Sequence, residues 1–449
     1  MERLYKILLV CILINFTQIA FAQNQGFSLQ QCIDYGIENN PNLKNSKTSI
    51  VSSQARVRET LASGLPQIGA SSDLSSNLII PTTFLPAQVF GGPAGEYVGV
   101  KFGTRYVGRA SLNVDQMIFN GSYFVGLKAS QVYTELSRQD LVRTKTDLVV
   151  AIKKAYYSVL VNKERLALVD KNYERLDSLL SQTKTMFNNG FSEKIDVSRV
   201  QVQFNNIVNL KRTTQLGMEI SLNLLKFQMG YPMNQSIELS DKLDDIRLQA
   251  LDDDFTKNFT YLNRIEYRLL DINSQLVKLD IRNTNSQYLP KLDFYGNYGA
   301  SYGSSDYNQF VKFGSNWKSF GLIGIRANLP IFDGFRKSNQ IQQKRIQLEQ
   351  LENNKTLLKN QIDMEQLQNQ LAFKTNLETL KSQKDNLDLA DEVYKVSVIK
   401  YQHGIGSNIE VINADASLKE AQTNYYAALY DALISSVDLE KSFGKILDK

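Results

Sequence analysis

Two stretches of this chain read as very long helices, and that limits what it can fold into. From Ser122 to Phe187 there is no proline and a single glycine, Gly126; from Phe335 to Lys400 there is neither. Apolar residues recur at helical spacing through both. The first carries Val132, Leu136, Leu148, Ile152, Tyr156, Val159, Leu166, Val169, Leu176 and Leu180. The second carries Ile341, Leu348, Leu351, Leu358, Ile362, Leu367, Leu371 and Leu380. At about 1.5 Å per residue, each helix spans on the order of 100 Å. Such helices cannot fold back into a compact domain and must pack side by side as a coiled coil. Their other faces are rich in Lys, Gln, Asn, Asp and Glu, which keeps them solvated.

The long helices belong to a duplication. Phe187-Asn188-Asn189-Gly190 followed by Ile195-Asp196-Val197 matches Tyr401-Gln402-His403-Gly404 followed by Ile409-Glu410-Val411. Gly190 to Gly404 is 214 residues, and so is Gly230 to Gly444. Phe119-Asn120-Gly121 matches Phe332-Asp333-Gly334 at 213, and Leu65-Pro66 matches Leu289-Pro290 at 224. The offset drifts only across the strand region, where loops tolerate insertions. Each half therefore reads helix, two strands, long helix, second long helix. This predicts a first repeat over 23–230, a linker over 231–254 and a second repeat over 255–449.

Residues 1–22 read as a secretory signal peptide. Arg3 and Lys6 precede the largely apolar run Ile7–Phe16, and Ala20-Phe21-Ala22 supplies the small-x-small cleavage pattern. Cys11 lies inside the apolar run with no small-residue lipobox before it, which argues against lipidation. Removing this segment lowers the formal charge from +5 to about +4, too modest to imply nucleic acid. Cys32 is then the only cysteine, so no internal disulfide can form. No later run of apolar residues is long enough for a membrane-spanning helix. Any membrane passage must be made by strands.

Four segments alternate with a period of two: Pro66–Ile80, Tyr106–Phe119, Pro290–Tyr302 and Ser319–Phe332. In the second, Gly108, Ala110, Leu112 and Val114 oppose Arg109, Ser111, Asn113 and Asp115. In the third, Leu292, Phe294, Tyr298 and Ala300 oppose Asp293, Tyr295, Asn297 and Ser301. In the fourth, Ile323, Ile325, Ala327 and Leu329 oppose Gly324, Arg326 and Asn328. The pattern fits strands between lipid and water, and equally half-buried strands of a soluble sheet. The first hairpin loop, Pro81–Arg105, is long and rich in Gly and Pro. The second, Gly303–Lys318, carries Tyr307, Phe310, Phe313 and Trp317. These aromatics fit a belt at a lipid boundary or a self-packed loop. The first helix starts with a capping box, Ser28 to Gln31, flanked by Phe27 and Cys32 at the staple positions. That reading makes Cys32 a small buried apolar contact.

The order of these features resembles the TolC-like outer-membrane efflux family over essentially the whole mature chain. The residues that carry the resemblance are Tyr401-Gln402-His403-Gly404 with Glu410-Val411-Ile412-Asn413-Ala414, and Leu439-Glu440-Lys441-Ser442-Phe443-Gly444. Asn39-Asn40-Pro41-Asn42-Leu43, Asn120-Gly121, Asp333-Gly334 and the first-half tip Phe187–Gly190 with Asp196-Val197 add to it. The resemblance implies an α+β membrane protein. A homotrimer would share a transmembrane β-barrel, four strands per subunit, and a helical coiled-coil tunnel across the periplasm. Its partners would be outer-membrane lipid, a periplasmic adaptor protein and an inner-membrane pump of the RND or ABC type. No cofactor is implied. Independently of the family, four strands cannot close a barrel, and lipid does not tolerate an open edge.

The resemblance also places function at the helix tips. Gly190, Phe191, Gly404 and Ile405 would contact the adaptor. Tyr401, Glu410, Asn413 and Asp196 would form the pore constriction, with Glu410 in an acidic ring and Tyr401 matching a gate tyrosine. Two departures stand out. Gly406 occupies the place of a linking arginine, and Asn413 that of a second aspartate. Read without the family, Gly190 and Gly404 are ordinary helix–helix turns, Glu410 is a solvated helix carboxylate, and His403, the only histidine, is a solvent-facing turn residue.

No catalytic constellation is visible. A Ser-His-Asp or Cys-His site would have to use His403, no His/Cys cluster suggests zinc, and Gly91-Gly92-Pro93 lacks the Gly-Lys-Ser/Thr of a phosphate loop. Two classes remain: an export duct for small molecules or secreted protein, and a structural coiled-coil protein spanning the periplasm with the strands as a soluble cap.

Overall fold

The computed structural model describes residues 26–243, 259–311 and 317–447. The expected signal peptide, residues 244–254 of the expected linker, and Phe313 lie outside the described residues. The chain begins with α1 (Leu29–Asn39) and α2 (Pro41–Ala62). Next come β1 (Gln67–Ser76), β2 (Thr82–Pro86), β3 (Tyr97–Lys101) and β4 (Tyr106–Phe119), then the long helices α3 (Gly121–Asn188) and α4 (Lys194–Met229). After these follow α5 (Ile265–Ser286), β5 (Lys291–Ser304), the single turn α6 (Tyr307–Val311) and β6 (Lys318–Asn328), and finally α7 (Arg336–Gln402) and α8 (Asn408–Ser442). By contacts the chain divides into two compact units. One draws on the described residues of 1–49, 137–271 and 353–449, the other on 50–136 and 272–352.

The second unit is built on an antiparallel sheet in the order β1-β4-β5-β6. Its register puts the alternation of every strand in phase. Leu74 lies opposite Gly108, Leu112 opposite Tyr298, and Phe294 opposite Ile325. Directly opposed residues share a face. One face therefore collects Ile68, Leu74, Leu112, Tyr298, Ile323 and Ile325, all exposed in the single chain. The other collects Asp73, Arg109, Asn113, Asp115, Asp293, Tyr295 and Arg326. On that polar face Arg326 stacks over the Tyr295 ring at 4.6 Å and Arg109 over Phe320 at 5.6 Å.

The first unit holds the main apolar core. Ile152, Tyr156, Val159 and Leu160 of α3 pack with Cys32 of α1, Leu225 and Met229 of α4, and Leu433 and Val437 of α8. Lys153 and Glu440 form an ion pair at 2.5 Å beside it, both side chains nearly buried. The capping box at Ser28 and Gln31 is formed as expected, and Phe27 packs edge-on against Tyr35 and Tyr231. Part of the expected α7 stripe stays uncovered, at Leu367 and Leu371, and α4 carries an exposed apolar set of its own, Leu216, Ile220, Leu224 and Phe227.

The structure departs from the sequence reading at several points. The first helix is two helices, because Pro41 starts a new one and the Asn40 amide oxygen accepts from the N–H groups of Asn42 and Leu43. The loop Pro81–Arg105 contains the hairpin β2–β3, whose Thr82-Thr83-Phe84 and Tyr97-Val98 have high strand propensity. β1 ends at Ser76 rather than Ile80, and β6 ends at Asn328 rather than Phe332. Pro330, which has no N–H, follows the end of β6. The aromatic loop packs on itself over the apolar face: Tyr302 stacks on Phe310 at 6.0 Å, and Tyr106 contacts Tyr307 and Phe310. Among the described residues, no helix is long and apolar enough to cross a membrane.

Cys32 is fully buried, and burial, reinforced by the Asp241 carboxylate, pushes its thiol up to about 12. At pH 8 the thiolate is scarce and out of reach. A thiol reagent should therefore label the native protein at least about a hundred-fold more slowly than the denatured chain. Absorbance kinetics with and without denaturant would measure this, and comparable rates would contradict the burial.

Candidate functional site

The two turns between the long helices are built alike. At the end of α3 the Phe191 N–H donates to Met186 O and the Gly190 N–H to Phe187 O. At the end of α7 the Ile405 N–H donates to Lys400 O and the Gly404 N–H to Tyr401 O. This is the Schellman arrangement, which needs a left-handed residue at the turn. Gly190 has φ 81° and Gly404 φ 72°. The apolar residue that follows such a turn commonly folds back onto the helix. Here both stand in solvent, Phe191 at 80 % exposure and Ile405 at 83 %. Ile195 and Ile409 beside them are exposed as well.

The helices that leave the turns start differently. α8 is capped by Ser407, whose hydroxyl accepts from the Glu410 N–H at 3.4 Å, and the Glu410 carboxylate is left exposed. Asn413 lies three residues on along the same exposed face. In α4 the equivalent Asp196 is occupied. It accepts from the Ser192 hydroxyl at 3.1 Å and the Glu193 N–H at 3.3 Å, and it faces Arg199 at 3.5 Å. Gly406 leaves little room for a side chain, since an added Cβ would come within 3.0 Å of Lys400 Cβ and 3.2 Å of the Tyr401 nitrogen. His403 is exposed on its turn.

Tyr401 is half-buried, its hydroxyl 3.9 Å from Met186 Sδ on α3. It packs onto a small core of Tyr394, Val411, Ala414 and Leu418. Behind this core lies a polar link that sequence reasoning missed. Arg175 of α3 lies over the Tyr394 ring of α7 at 4.6 Å and donates to Asn172. The Asn172 amide in turn donates to Gln422 of α8 at 2.9 Å, inside the protein. Burial, partly offset by the Arg175 guanidinium, lifts the Tyr394 phenol above its ordinary value, so it stays neutral. Asp415 is also buried and holds Lys419 at 2.6 Å. Nothing in the local pattern around Arg175 distinguishes it from the solvated cations of the same helix. Asn408, the first residue of α8, was missed too: it is buried with neither side-chain polar atom paired. Among the described residues, no group of three or more His, Cys, Asp or Glu could hold a metal ion.

The family model described as "Outer membrane efflux protein" matches residues 33–230 and 274–445. The outer membrane protein TolC of Escherichia coli is 21 % identical, over 99 % of this chain and 87 % of the relative. Among solved structures, VceC of Vibrio cholerae superimposes with a TM-score of 0.70 at 14 % identity, covering 93 % of this chain and 96 % of that one. The open-state MtrE channel of Neisseria gonorrhoeae gives 0.72 at 14 % identity, covering 94 % and 91 %.

Arg175 links three helices, so its loss should loosen them locally. Arg175→Met keeps the aliphatic bulk and removes a cation–π contact and a charge-assisted hydrogen bond, together about 1–3 kcal/mol. Amide hydrogen exchange around Tyr394 should accelerate at least about ten-fold, with little change near Cys32. Equal rates in both variants would mean that the link holds nothing.

Proposed function

This chain belongs to the outer membrane efflux protein family, and we propose that it is one subunit of a passive homotrimeric export duct. In this reading residues 1–22 direct export, and residues 23–230 and 255–449 are two copies of one plan joined by a linker. Three copies close a twelve-stranded barrel in the outer membrane, and their long helices form a tunnel in the periplasm. A periplasmic adaptor docks on the tips, and an inner-membrane pump of the RND or ABC type supplies the energy. Whether the system is a tripartite efflux pump or a type I secretion apparatus follows from that pump, because the duct itself is generic.

The observation that carries the proposal is the two-faced sheet. Ile68, Leu74, Leu112, Tyr298, Ile323 and Ile325 lie exposed on one face. Burying six such side chains is worth on the order of 10 kcal/mol, which a single chain in water forgoes. Strands of 10 to 14 residues, as in β1, β4, β5 and β6, are long enough to cross a bilayer. Aromatic clusters stand at both ends of the apolar face, Tyr106, Tyr302, Phe310 and Trp317 at one and Phe119, Tyr123 and Phe124 at the other. Lipid-exposed barrels are bordered in this way. A soluble cap on a coiled coil would have to cover this face with protein.

At the tips, Phe191 and Ile405 offer an adaptor two apolar contacts held out by rigid glycine turns. Bulky substitutions at Gly190 and Gly404 together should abolish pump-dependent resistance while trimers persist on gels. Unchanged resistance would remove the tips from the docking surface. Within the entrance, Tyr401, Glu410, Asn413 and Asp196 form the constriction in this reading, and Glu410 carries the exposed charge. Three Glu410 carboxylates around one axis would attract cations.

Purified protein should run as heat-resistant trimers in detergent and conduct in planar bilayers. Monomers without conductance would favour the structural coiled-coil alternative. Glu410→Gln should weaken block of that conductance by divalent cations several-fold, whereas Asp196→Asn should act less. An unchanged block in Glu410→Gln would take that residue out of the constriction.

A further inference from the structure

The polar face of the sheet is interrupted along β6. There Phe320 pairs with Gly299, Leu322 with Asn297 and Gly324 with Tyr295, all on the face that carries Arg109, Asp115 and Asp293. Leu322 is 53 % exposed and Phe320 is half-buried. An isolated exposed leucine needs no account. Here the apolar surface is continuous. From Phe320 to Gly324 the strand covers about 14 Å. At Gly324 the Tyr295 ring takes over, since an added Cβ would come within 2.8 Å of Tyr295 Cζ.

Tyr295 has a structural reason to lie there, because its ring covers backbone that a glycine leaves bare. Leu322 has no such role, since the residue opposite it is Asn297. Beside Phe320 the surface is held flat. An added Cβ on Gly299 would come within 2.7 Å of Ser111 Cβ, so no side chain fits at that position. The result is a strip of Phe320, Leu322 and Tyr295 with a low floor next to it.

The two ends of the strip differ in charge. At the end nearer the hairpin loops, the Arg109 guanidinium lies over the Phe320 ring at 5.6 Å. Lys318 stands on the same face two residues before Phe320, and both cations are exposed. Asp73 lies opposite Arg109, whereas Lys318 has Ser301 opposite it. Two cations therefore face one carboxylate. At the end nearer the helices, Arg326 lies over the Tyr295 ring at 4.6 Å. There Arg326 and Lys291 are matched by Asp115 and Asp293, and the charge balances. A guanidinium stacked on a ring keeps its N–H edge free for an anion.

We propose that this strip is a track for organic anions with a flat apolar body. The anionic head meets Arg109 and Lys318, and the body lies on Phe320 and Leu322, pointing toward Tyr295. The proposal rests on the barrel reading above, in which this face lines the lumen, and it gives an otherwise generic duct a chemical preference. Charge complementarity selects the class. A cationic amphiphile would meet two like charges at the loop end, and a small anion would leave the apolar strip unused. Charges in a confined aqueous lumen act more strongly than on an open surface. The contacts are few and shallow, which suits a duct, because cargo must leave as readily as it enters.

A blocker series on single channels of the full-length protein in planar bilayers tests the track. Naphthalenesulfonate, added to both chambers, should reduce the current saturably. Naphthylmethanol has the rings without the charge, and methanesulfonate the charge without the rings. Each should need at least about a five-fold higher concentration for half block, roughly 1 kcal/mol. Leu322→Ser and Phe320→Ser should weaken the naphthalenesulfonate block by a similar factor. Lys318→Gln should weaken it too, with the naphthylmethanol response unchanged. Asn328→Ser, on the same face but outside the strip, should leave all three responses as they were. Because Leu322 is exposed, its variant decides the matter even where Phe320→Ser does not assemble. Channels of normal conductance in which Leu322→Ser leaves the block unchanged would overturn the track. So would methanesulfonate or naphthylmethanol blocking as well as naphthalenesulfonate. An unmodified chain that forms neither trimers nor channels would overturn the barrel reading itself, which is a separate outcome.

Discussion

The unpaired backbone along the edges of the four-stranded sheet controls how the rest of the molecule can be used. Half of the N–H and C=O groups of β1 and β6 point away from the sheet, on the order of ten groups per edge. In water these groups are solvated and cost little. In lipid each costs several kcal/mol, so even a few would exceed the whole stability of a domain. A face rich in exposed Ile and Leu draws the sheet toward lipid, and the edges forbid it as a single chain. Other copies can resolve both demands at once, since closure removes the edges and leaves the apolar face outward.

The helices pose the same problem in a milder form. Leu216, Ile220, Leu224 and Phe227 form an uncovered stripe on α4, and Leu389, Val393, Val396 and Ile399 another on α7. Stripes at this spacing are the seams of coiled coils. A core of Ile152, Tyr156, Leu225, Leu433 and their neighbours stabilises the chain without using them. The chain therefore folds around one apolar set and leaves a second exposed, which in the duct reading serves association. Polar groups are arranged on the same principle. Lys153 and Glu440 satisfy each other inside the chain, and Arg264 reaches Glu266, Glu365 and the Ser442 carbonyl.

Long-period features were legible in the sequence, and short-range ones less so. The helices α3 and α7 lie within two residues of their expected limits because nothing in 66 residues interrupts them. The phase of each strand was legible because alternation survives any loop length. The strand ends were not, because alternation runs on past Ser76 and Asn328 into residues that no ladder pairs among the described residues. The hairpin β2–β3 was hidden by the glycines and prolines around it, which read as loop whether or not the intervening residues pair. The helix tips were visible as glycines, since φ near 75° leaves few alternatives. Arg175 was not visible, because a cation that joins three helices has the same local spacing as one that faces water.

The tips also show how a duplicated backbone can hold unequal charge. Asp196 and Glu410 occupy equivalent third positions of their helices, and each follows a turn of the same geometry. At α4 the capping residue is Glu193, which adds its own negative charge, and the Asp196 carboxylate is drawn back onto the Glu193 N–H and the Ser192 hydroxyl. At α8 the Ser407 hydroxyl takes the capping role, and the Glu410 carboxylate is released to solvent. One serine thus decides which of the two turns presents an exposed acid. With Asn413 neutral and a glycine at 406, that acid has no charged companion on its own exposed face. In the duct reading, closure falls to contacts set deeper, of the kind that Arg175 makes with Tyr394 and Asn172, where low exposure makes one cation worth more than it would be at the rim.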